Sequence, residues 1–363
     1  MVLIIRDKMN NYVELDKNFN VEKINDEEFN FYPYTAFKLE GFPWYETDKK
    51  LYRLPLDVMS KLEGNVVTLA KSSAGGCIRF KSNTNKIALK VKYERRRHSP
   101  GMPQVSDAGF DIYVKQGDEW VFINMFRPEI TDEELNMTRE LFSDGEMKEY
   151  AIYLPLYSCP EEINIGFETD STVSSDVAPR KIEKPILFYG SSVTNGGCVA
   201  RAANTYSATV GRKLDAPIVN MGYSGSCGGE TEIAEAIAKL DLAMFVSEFD
   251  HNMREPEQIY TKLGNFVGII REKIPTLPII LMTRPFFVEY RREHTAAMAQ
   301  SIKKLYEDLT SKGDTNLYFL CGMDIFDMDD RYDYCIDGVH PTELGNHVMG
   351  MKILELIEKN KIF

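Results

Sequence analysis

The stretch Pro185–Gly196, PILFYGSSVTNG, decides the fold of this chain. It begins with the apolar run Pro185–Tyr189, which is typical of a strand buried on both faces of a parallel sheet. Small polar residues follow directly. In an open α/β sheet, the loops after the carboxyl ends of the strands line the ligand crevice. The stretch therefore predicts a buried parallel strand that carries Ser191 and Ser192 to a functional site.

The chain downstream repeats this alternation of buried strand and amphipathic helix. Further apolar runs lie at Ala216–Met221, Leu242–Val246, Ile279–Met282 and Leu317–Leu320. Stretches with helical spacing lie at Glu230–Leu240, Pro256–Lys273, His294–Lys312 and Leu344–Lys359. Strands that alternate with helices form a parallel sheet covered by helices on both faces. Residues 179–363 are therefore predicted to form a three-layer α/β/α domain.

The chain upstream has a different periodicity. In Lys86–Tyr93, apolar residues occupy every second position, which is typical of a strand with one buried face. Similar short runs lie at Val66–Ala70, Cys77–Lys81, Phe110–Val114, Trp120–Asn124, Tyr150–Leu154 and Ile163–Phe167. Many short strands separated by turn-forming residues indicate an antiparallel sandwich or jelly roll. Residues 1–178 are therefore predicted as an N-terminal β-sandwich domain, with Thr172–Lys184 as the linker.

Composition excludes several classes of partner. The 363 residues include 43 Lys and Arg against 55 Asp and Glu, a net charge of −12, which disfavours binding to nucleic acid. No apolar run approaches the roughly 20 residues that span a bilayer, so no membrane association is expected. The apolar start Met1–Ile5 is shorter than the core of a signal peptide, about 7–15 residues, which predicts a cytoplasmic protein.

Two segments carry residues suited to nucleophilic catalysis. The serines at 191 and 192 lie at the start of a predicted helix, where they either cap the helix or offer a nucleophile. Near the carboxyl terminus, Asp337 precedes His340 by three residues in a predicted loop. There the carboxylate can accept the Nδ1–H of the imidazole, and Nε2 can take a proton from a hydroxyl. Alternatively, His340 is an ordinary surface histidine.

Two further segments follow the second and third strands of the α/β region. Gly225, in NMGYSGS, would allow a backbone N–H to approach a substrate oxygen. Asn252, at the end of EFDHN, carries a side-chain amide that can donate hydrogen bonds. Each segment taken alone is better explained as a turn. The basic segment Glu94–His98 is predicted as a solvated loop beyond a strand. Alternatively, this loop extends over the catalytic crevice.

Together, these segments resemble the SGNH (GDSL-like) hydrolase family, whose sequence blocks are G-D-S-x-T-x-G, N-x-G-x-S-G, G-x-N-D and D-x-x-H. This chain has GSSVTNG, NMGYSG and DGVH in the same order. The resemblance implies that Ser192 is the nucleophile and an oxyanion donor, with Gly225 as a second donor. It also implies His340 as the base, Asp337 as the residue that orients it, and a flavodoxin-like sheet. Gly109–Tyr113, GFDIY, resembles the G-x-D-L-Y motif of the sandwich domain that precedes one SGNH subfamily.

The sequence departs from the family pattern at two places. Ser191 replaces the usual Asp of the first block. In the altered third block, the family Asn falls near Asp250, whose ionised carboxylate is a poor oxyanion donor. Asn252 is therefore assigned as the third oxyanion donor.

The resemblance implies a serine esterase that hydrolyses small acyl esters, in particular acetyl groups on a sugar. An acyltransferase with the same triad remains an alternative, as does a carbohydrate-binding protein without catalytic activity. The sequence has no G-x-x-x-x-G-K-[ST], H-E-x-x-H or G-x-G-x-x-G after a strand, so neither a metal nor a nucleotide cofactor is expected.

Overall fold

The computed structural model describes residues 24–99, 101–129, 132–285, 291–326 and 330–363. Met1–Ile5, on which the cytoplasmic prediction depends, lies outside the described residues, as does the rest of the first 23. Within the described ranges, no helix is both long enough and apolar enough to cross a membrane.

Fifteen strands are found in these ranges. They are β1 (Phe29–Pro33), β2 (Lys38–Glu40), β3 (Cys77–Ser82), β4 (Lys86–Arg95), β5 (Phe110–Gln116), β6 (Glu119–Phe126), β7 (Glu134–Glu140), β8 (Lys148–Tyr153), β9 (Cys159–Glu168), β10 (Val173–Ser174), β11 (Ile186–Gly190), β12 (Ile218–Gly222), β13 (Met244–Glu248), β14 (Ile279–Met282) and β15 (Leu317–Leu320). The α-helices of the same ranges are α1 (Tyr45–Asp48), α2 (Leu56–Met59), α3 (Asn65–Ala70), α4 (Gln104–Asp107), α5 (Ser192–Asn195), α6 (Tyr206–Leu214), α7 (Thr231–Ile237), α8 (Pro256–Lys273), α9 (Arg292–Ser311) and α10 (Glu343–Asn360).

The first ten strands form two antiparallel sheets, as the period-two pattern predicts. One sheet has the order β1-β9-β4-β7, and the other has β10-β3-β8-β5-β6, with β2 added beside β3. Side chains from both sheets, among them Leu89, Ile112 and Ile165, are fully buried in one shared cluster. The predicted antiparallel sandwich is therefore confirmed.

The prediction of a strand at Val66–Ala70 is wrong, because these residues form helix α3. The β-branched residues at 66 to 68 favour a strand by propensity. However, Val66, Leu69 and Ala70 are the buried residues, and their spacing of three and four places them on one face of a helix. Tertiary packing therefore decides the conformation here.

The last five strands form a parallel sheet with the order β12-β11-β13-β14-β15. This confirms the predicted α/β fold, and the order is that of flavodoxin-like sheets. Helix α6 has no counterpart among the predicted helices; it is nine residues long, and all residues from Tyr206 to Gly211 are buried. β11 lies between β12 and β13, with Gly190 opposite Glu248, so the loops after β11 and β13 meet at one edge.

The two regions share a hydrophobic core. One buried cluster joins Leu69, Tyr113 and Leu156 of the N-terminal region with Phe188 and Tyr206 of the α/β region. The predicted linker contributes β10, which pairs with β3, and the buried side chain of Arg180. The N-terminal region is therefore packed directly against the domain that carries the candidate site.

Candidate active site

The segment after β11 presents one serine to solvent and buries the other. Ser191 is fully buried and caps α5, since its Oγ accepts a hydrogen bond from the N–H of Val193 at 3.1 Å. Ser192 is the first residue of the helix and is partly exposed. A ligand at this edge of the sheet can therefore reach the Ser192 hydroxyl but not that of Ser191.

The structure brings Ser192, His340 and Asp337 together. Nε2 of His340 lies 2.8 Å from Oγ of Ser192, which is 148 residues away in the chain. Nδ1 of the same ring lies 2.6 Å from Oδ2 of Asp337. The other carboxylate oxygen, Oδ1, accepts the backbone N–H groups of His340 at 2.8 Å and Val339 at 3.0 Å. The three side chains thus form a continuous hydrogen-bonded line.

This arrangement suits proton transfer from the Ser192 hydroxyl. Partial burial alone would raise the pKa of the Asp337 carboxyl, but hydrogen bonds from His340 outweigh it and hold that pKa below its ordinary value. An ionised Asp337 accepts the Nδ1–H of His340 and fixes the tautomer in which Nε2 bears a lone pair. Nε2 can then act as a general base toward Oγ of Ser192.

Gly197 lies just beyond the GSSVTNG motif, and its lack of a side chain leaves room for the imidazole of His340. A Cβ added at this position would lie 2.8 Å from Cδ2 and 3.3 Å from Nε2 of His340. Any side chain at 197 would therefore push the ring away from Ser192. The glycines that follow the nucleophile in GSSVTNGG signal such close packing, but the sequence does not reveal which residue makes the contact.

Gly225 and Asn252 line one cleft of about 170 Å³. In the described part of the chain, the backbone N–H groups of Ser192 and Gly225 donate no hydrogen bond to protein atoms. Oδ1 of Asn252 accepts the N–H of Cys227 at 3.0 Å, which directs Nδ2 away from that loop. The three predicted oxyanion donors therefore have hydrogens free for a ligand.

Asp250, the alternative residue of the third block, has a different environment. Its carboxylate is fully buried, and Oδ2 accepts a hydrogen bond from Nε of Arg284 at 3.1 Å. Nη2 of Arg284 also bonds the carbonyl oxygen of Asp250 at 2.6 Å. Asp250 is thus held by an internal ion pair, whereas Asn252 lines the cleft.

Glu248, the last residue of β13, lies at the centre of a hydrogen-bond network that none of the sequence motifs reveals. Its buried Oε2 accepts hydrogen bonds from the backbone N–H of Ser191 at 3.0 Å and from its hydroxyl at 2.6 Å. Oε1 lies 2.6 Å from Nδ1 of His251, three residues further along. Burial raises the pKa of Glu248, but His251 and Ser191 outweigh burial and lower it overall. Glu248 therefore remains a carboxylate that ties the nucleophile loop to β13.

Among the residues that the structure describes, two groups of side chains bring metal-ligating atoms within 4.8 Å of one another. They are Cys198 with Asp337 and His340, and Glu248 with Asp250 and His251. In the first group, the imidazole is bonded to Asp337 and Ser192; in the second, the acids bond His251, Ser191 and the cationic Arg284. These protein contacts account for the geometry of both groups, and the expectation of no metal remains a prediction.

Two family models match this chain. The model of the GDSL-like lipase/acylhydrolase family matches residues 183–358. The model of the GxDLY family, the N-terminus of the SGNH-hydrolase type of esterase, matches residues 29–173. None of the curated proteins matches the sequence. The resemblance inferred from the sequence motifs is thus confirmed for both regions.

Solved structures resemble the chain over most of its length. A crystal structure from Bacteroides ovatus ATCC 8483, assigned to the GDSL-like lipases, is 27% identical with a TM-score of 0.83, covering 92% of this chain and 98% of that one. The salicylyl-acyltransferase SsfX3 of a tetracycline biosynthetic pathway is 17% identical with a TM-score of 0.72, covering 96% and 99%. The acetyl xylan esterase Est2A from the rumen bacterium Butyrivibrio proteoclasticus is 13% identical with a TM-score of 0.57, covering 93% and 100%. At such low identities, the second and third matches show a common fold.

Proposed function

We propose that this chain, whose residues 183–358 belong to the GDSL-like lipase/acylhydrolase family, hydrolyses small acyl esters through an acyl-enzyme on Ser192. The chain is a hydrolase of the carboxylic ester class, in keeping with this family. The observation that carries the proposal is the contact of 2.8 Å between Oγ of Ser192 and Nε2 of a His340 ring whose Nδ1 lies on Asp337.

In the first half of the reaction, Oγ of Ser192 attacks the ester carbonyl carbon while Nε2 of His340 takes the hydroxyl proton. The negative charge that develops on the carbonyl oxygen is held by the N–H groups of Ser192 and Gly225 and by Nδ2 of Asn252. As the carbon–oxygen bond to the alcohol breaks, His340 returns the proton to the leaving alcohol.

In the second half, a water molecule attacks the acyl carbon. His340 takes one proton from this water, the bond to Oγ of Ser192 breaks, and the proton returns to Oγ. The products are a carboxylic acid, an alcohol and the free enzyme. Asp337 stays ionised throughout and stabilises the imidazolium that forms in each half.

The acyl group is proposed to be acetyl and the alcohol a carbohydrate. The cleft of about 170 Å³ contains two of the proposed oxyanion donors, Gly225 and Asn252, and an acyl group that fits within it would be short. Its polar lining, which includes Glu63, Asn65 and Ser226, suits an alcohol that carries hydroxyl groups. The fold shared with the acetyl xylan esterase Est2A agrees with this substrate class.

The second candidate function is that of an acyltransferase, in which an alcohol instead of water accepts the acyl group. The TM-score of 0.72 to the salicylyl-acyltransferase, against 0.57 to the acetyl xylan esterase, favours keeping this candidate. Turnover of an acyl ester with increasing concentrations of a simple alcohol separates the two. Production of the new ester at the expense of free acid supports transfer, and free acid alone supports hydrolysis.

The test is hydrolysis of 4-nitrophenyl acetate, butyrate and octanoate by the wild type and by Ser192→Ala and His340→Ala. Acetate is expected to turn over fastest, with a loss of about 10³-fold or more in each variant, because triad residues act as a unit. His294→Ala, on an exposed face of α9, is the control and should retain wild-type turnover. Equal rates for the wild type and both triad variants would contradict the proposal.

A further inference from the structure

The end of β4 and the segment that follows it carry three consecutive arginines, Arg95, Arg96 and Arg97. We propose that Arg97 is a subsite for a carboxylate borne by the ester substrate, so that the enzyme prefers acyl esters of acidic molecules. This inference rests on the esterase function proposed above and adds the charge class of the substrate.

Tyr157 connects Arg97 to the reacting groups. The hydroxyl of Tyr157 lies 2.7 Å from Oγ of Ser224, the residue before the oxyanion donor Gly225. The carbonyl oxygen of Leu156, one residue earlier, accepts a hydrogen bond of 3.2 Å from Nδ2 of Asn195 in the nucleophile helix α5. Tyr157 is thus held between the helix of Ser192 and the loop of Gly225.

Arg97 lies on this tyrosine. Its guanidinium carbon is 5.3 Å from the centre of the Tyr157 ring, and its backbone N–H donates to Oγ of Ser158 at 3.0 Å. Stacking on an aromatic ring fixes the plane of a guanidinium and leaves its edge available for a ligand. Arg97 is partly exposed, so a ligand from solvent can reach its guanidinium.

The charge of Arg97 has no dedicated counter-ion. Within the described ranges, its guanidinium forms no ion pair and no hydrogen bond with another side chain. Burial raises the pKa of Asp107, although Ser99 and Arg97 oppose the shift, and the carboxylate already accepts two hydrogen bonds from Ser99, at 2.7 and 3.0 Å. Glu94 is likewise engaged, by Nζ of Lys71 at 2.8 Å and by the hydroxyl of Tyr52.

The neighbouring arginines strengthen the positive potential. Arg95 uses its guanidinium to bond the carbonyl oxygen of Thr68, and Arg96 uses one nitrogen to bond Gln104, so neither neutralises a carboxylate. Nε and Nη1 of Arg96 are buried without a partner. Together with Lys71, these three arginines outnumber the nearby carboxylates of Glu94 and Asp107. This is a local reversal of sign in a chain of net charge −12, and it concentrates anions near Arg97.

The cleft of the proposed oxyanion donors carries the opposite charge. Glu63 and Glu230 line the cleft that contains Gly225 and Asn252. A substrate carboxylate is repelled by that wall and attracted to Arg97, so the charge distribution would orient an acidic ester in one direction. The planar fork of a guanidinium matches the two oxygens of a carboxylate, which favours this anion as the ligand.

The test compares 4-acetoxybenzoate with its methyl ester, methyl 4-acetoxybenzoate, which carries the same acetyl ester without the charge. For the wild type and for Arg97→Gln, kcat/KM is measured with each compound at low ionic strength. The ratio of kcat/KM for the acid to that for the methyl ester should fall about tenfold in Arg97→Gln, the effect of losing one charge-assisted contact. Arg97→Lys should retain part of the ratio, because it keeps the charge but loses the fork.

Arg127→Gln is the matched control, because Arg127 lies beyond β6 and pairs with Glu129. It should leave the ratio unchanged. A ratio that is the same in Arg97→Gln and the wild type overturns the proposal. An equal loss for both compounds also overturns it, because Arg97 would then only support the loop through Tyr157.

Binding separates this inference from the esterase function itself. Isothermal titration of 4-acetoxybenzoate into Ser192→Ala and into Ser192→Ala/Arg97→Gln needs no turnover. Weaker binding to the double variant supports the subsite even if the wild type hydrolyses neither compound, in which case the proposed hydrolysis fails alone. The same affinity for both proteins, or no binding to Ser192→Ala, overturns the subsite.

Discussion

At the scale of single residues, Ser191 and Glu248 explain why the first sequence block departs from its family pattern. A carboxylate at position 191 would face the buried carboxylate of Glu248, whereas the Ser191 hydroxyl donates to it at 2.6 Å and also caps α5. Two carboxylates so close in a buried site cannot both ionise without a large cost. The unusual residue is thus complementary to its neighbour in β13.

We predict that Ser191→Ala lowers the free energy of unfolding by about 2–4 kcal/mol, because it removes a helix cap and a buried hydrogen bond to a charged group. Ser191→Asp should be more destabilising at pH 7, and Glu248→Gln added to it should recover part of the loss. Urea denaturation of the two single variants, of Glu248→Gln alone and of the double variant measures this. If Ser191→Asp were as stable as Ser191→Ala with Glu248 present, the proposed repulsion would be absent.

At the scale of secondary-structure elements, strand β5 of the sandwich contacts the segment between helices α5 and α6. Oδ2 of Asp111, in the GFDIY motif, accepts the N–H of Ala203 at 2.8 Å. The next residue, Asn204, donates from Nδ2 to Glu343 at 2.5 Å, in the first turn of α10 and three residues beyond His340. The motif therefore holds the segment that follows the nucleophile helix, and this segment in turn contacts the first turn of α10, next to the histidine loop.

Asp111 should make the stability of the protein depend on pH. Burial raises the pKa of its carboxyl to about 6, although Arg201 and the N–H of Ala203 oppose the shift. The folded protein thus binds this proton more tightly than the unfolded chain, in which the pKa is about 4. The contribution of this tighter proton binding to the stability of the folded protein is complete below about pH 4. It is lost as the pH rises to about 6.

The prediction is tested with Asp111→Asn, which cannot titrate. The free energy of unfolding of the wild type minus that of the variant should fall between pH 4 and pH 6, by at most about 1.4 kcal/mol per pH unit. Urea denaturation at several pH values across this range gives the difference. A difference that stays constant over the range would show that Asp111 does not change its protonation on folding.

The same elements show what the sequence predicts and what it does not. Strands such as Ile279–Met282 and the DGVH loop are predictable, because periodicity and the three-residue spacing of Asp337 and His340 are local properties. The contacts of Ser191 with Glu248 and of Asp111 with Ala203 join residues 57 and 92 positions apart. Such pairings depend on the register of the folded chain, so no local pattern reveals them.

At the scale of the whole molecule, buried ion pairs join the two regions. Arg180 donates from Nη2 to Glu40 of β2 at 2.8 Å and from Nη1 to Asp215, which follows α6, at 2.9 Å. Burial alone would raise the pKa of the Asp215 carboxyl, but Arg180 and Trp120 outweigh it and lower that pKa to about 2. With the shared hydrophobic core, this network makes the sandwich and the α/β region one structural unit.

Arg180→Ala should therefore lower the free energy of unfolding by about 3–5 kcal/mol, because the buried carboxylates of Glu40 and Asp215 each lose an ion-pair partner. Lys181→Ala is the matched control, since the neighbouring ion pair of Lys181 with Asp118 is exposed and should contribute at most about 1 kcal/mol. Thermal unfolding should show one transition in the wild type. Two separate transitions, or equal effects of both variants, would contradict the shared unit.

The central claim is that Ser192 is the nucleophile, and it is tested most directly by covalent labelling with diisopropyl fluorophosphate. The reagent forms a stable phosphoryl ester with an activated serine, and peptide mass spectrometry locates the ester. We predict one label per chain on Ser192, with loss of esterase activity in proportion to labelling and no labelling of Ser192→Ala. A label on Ser191 or any other residue with Ser192 unmodified, or full activity after labelling of Ser192, would contradict the account.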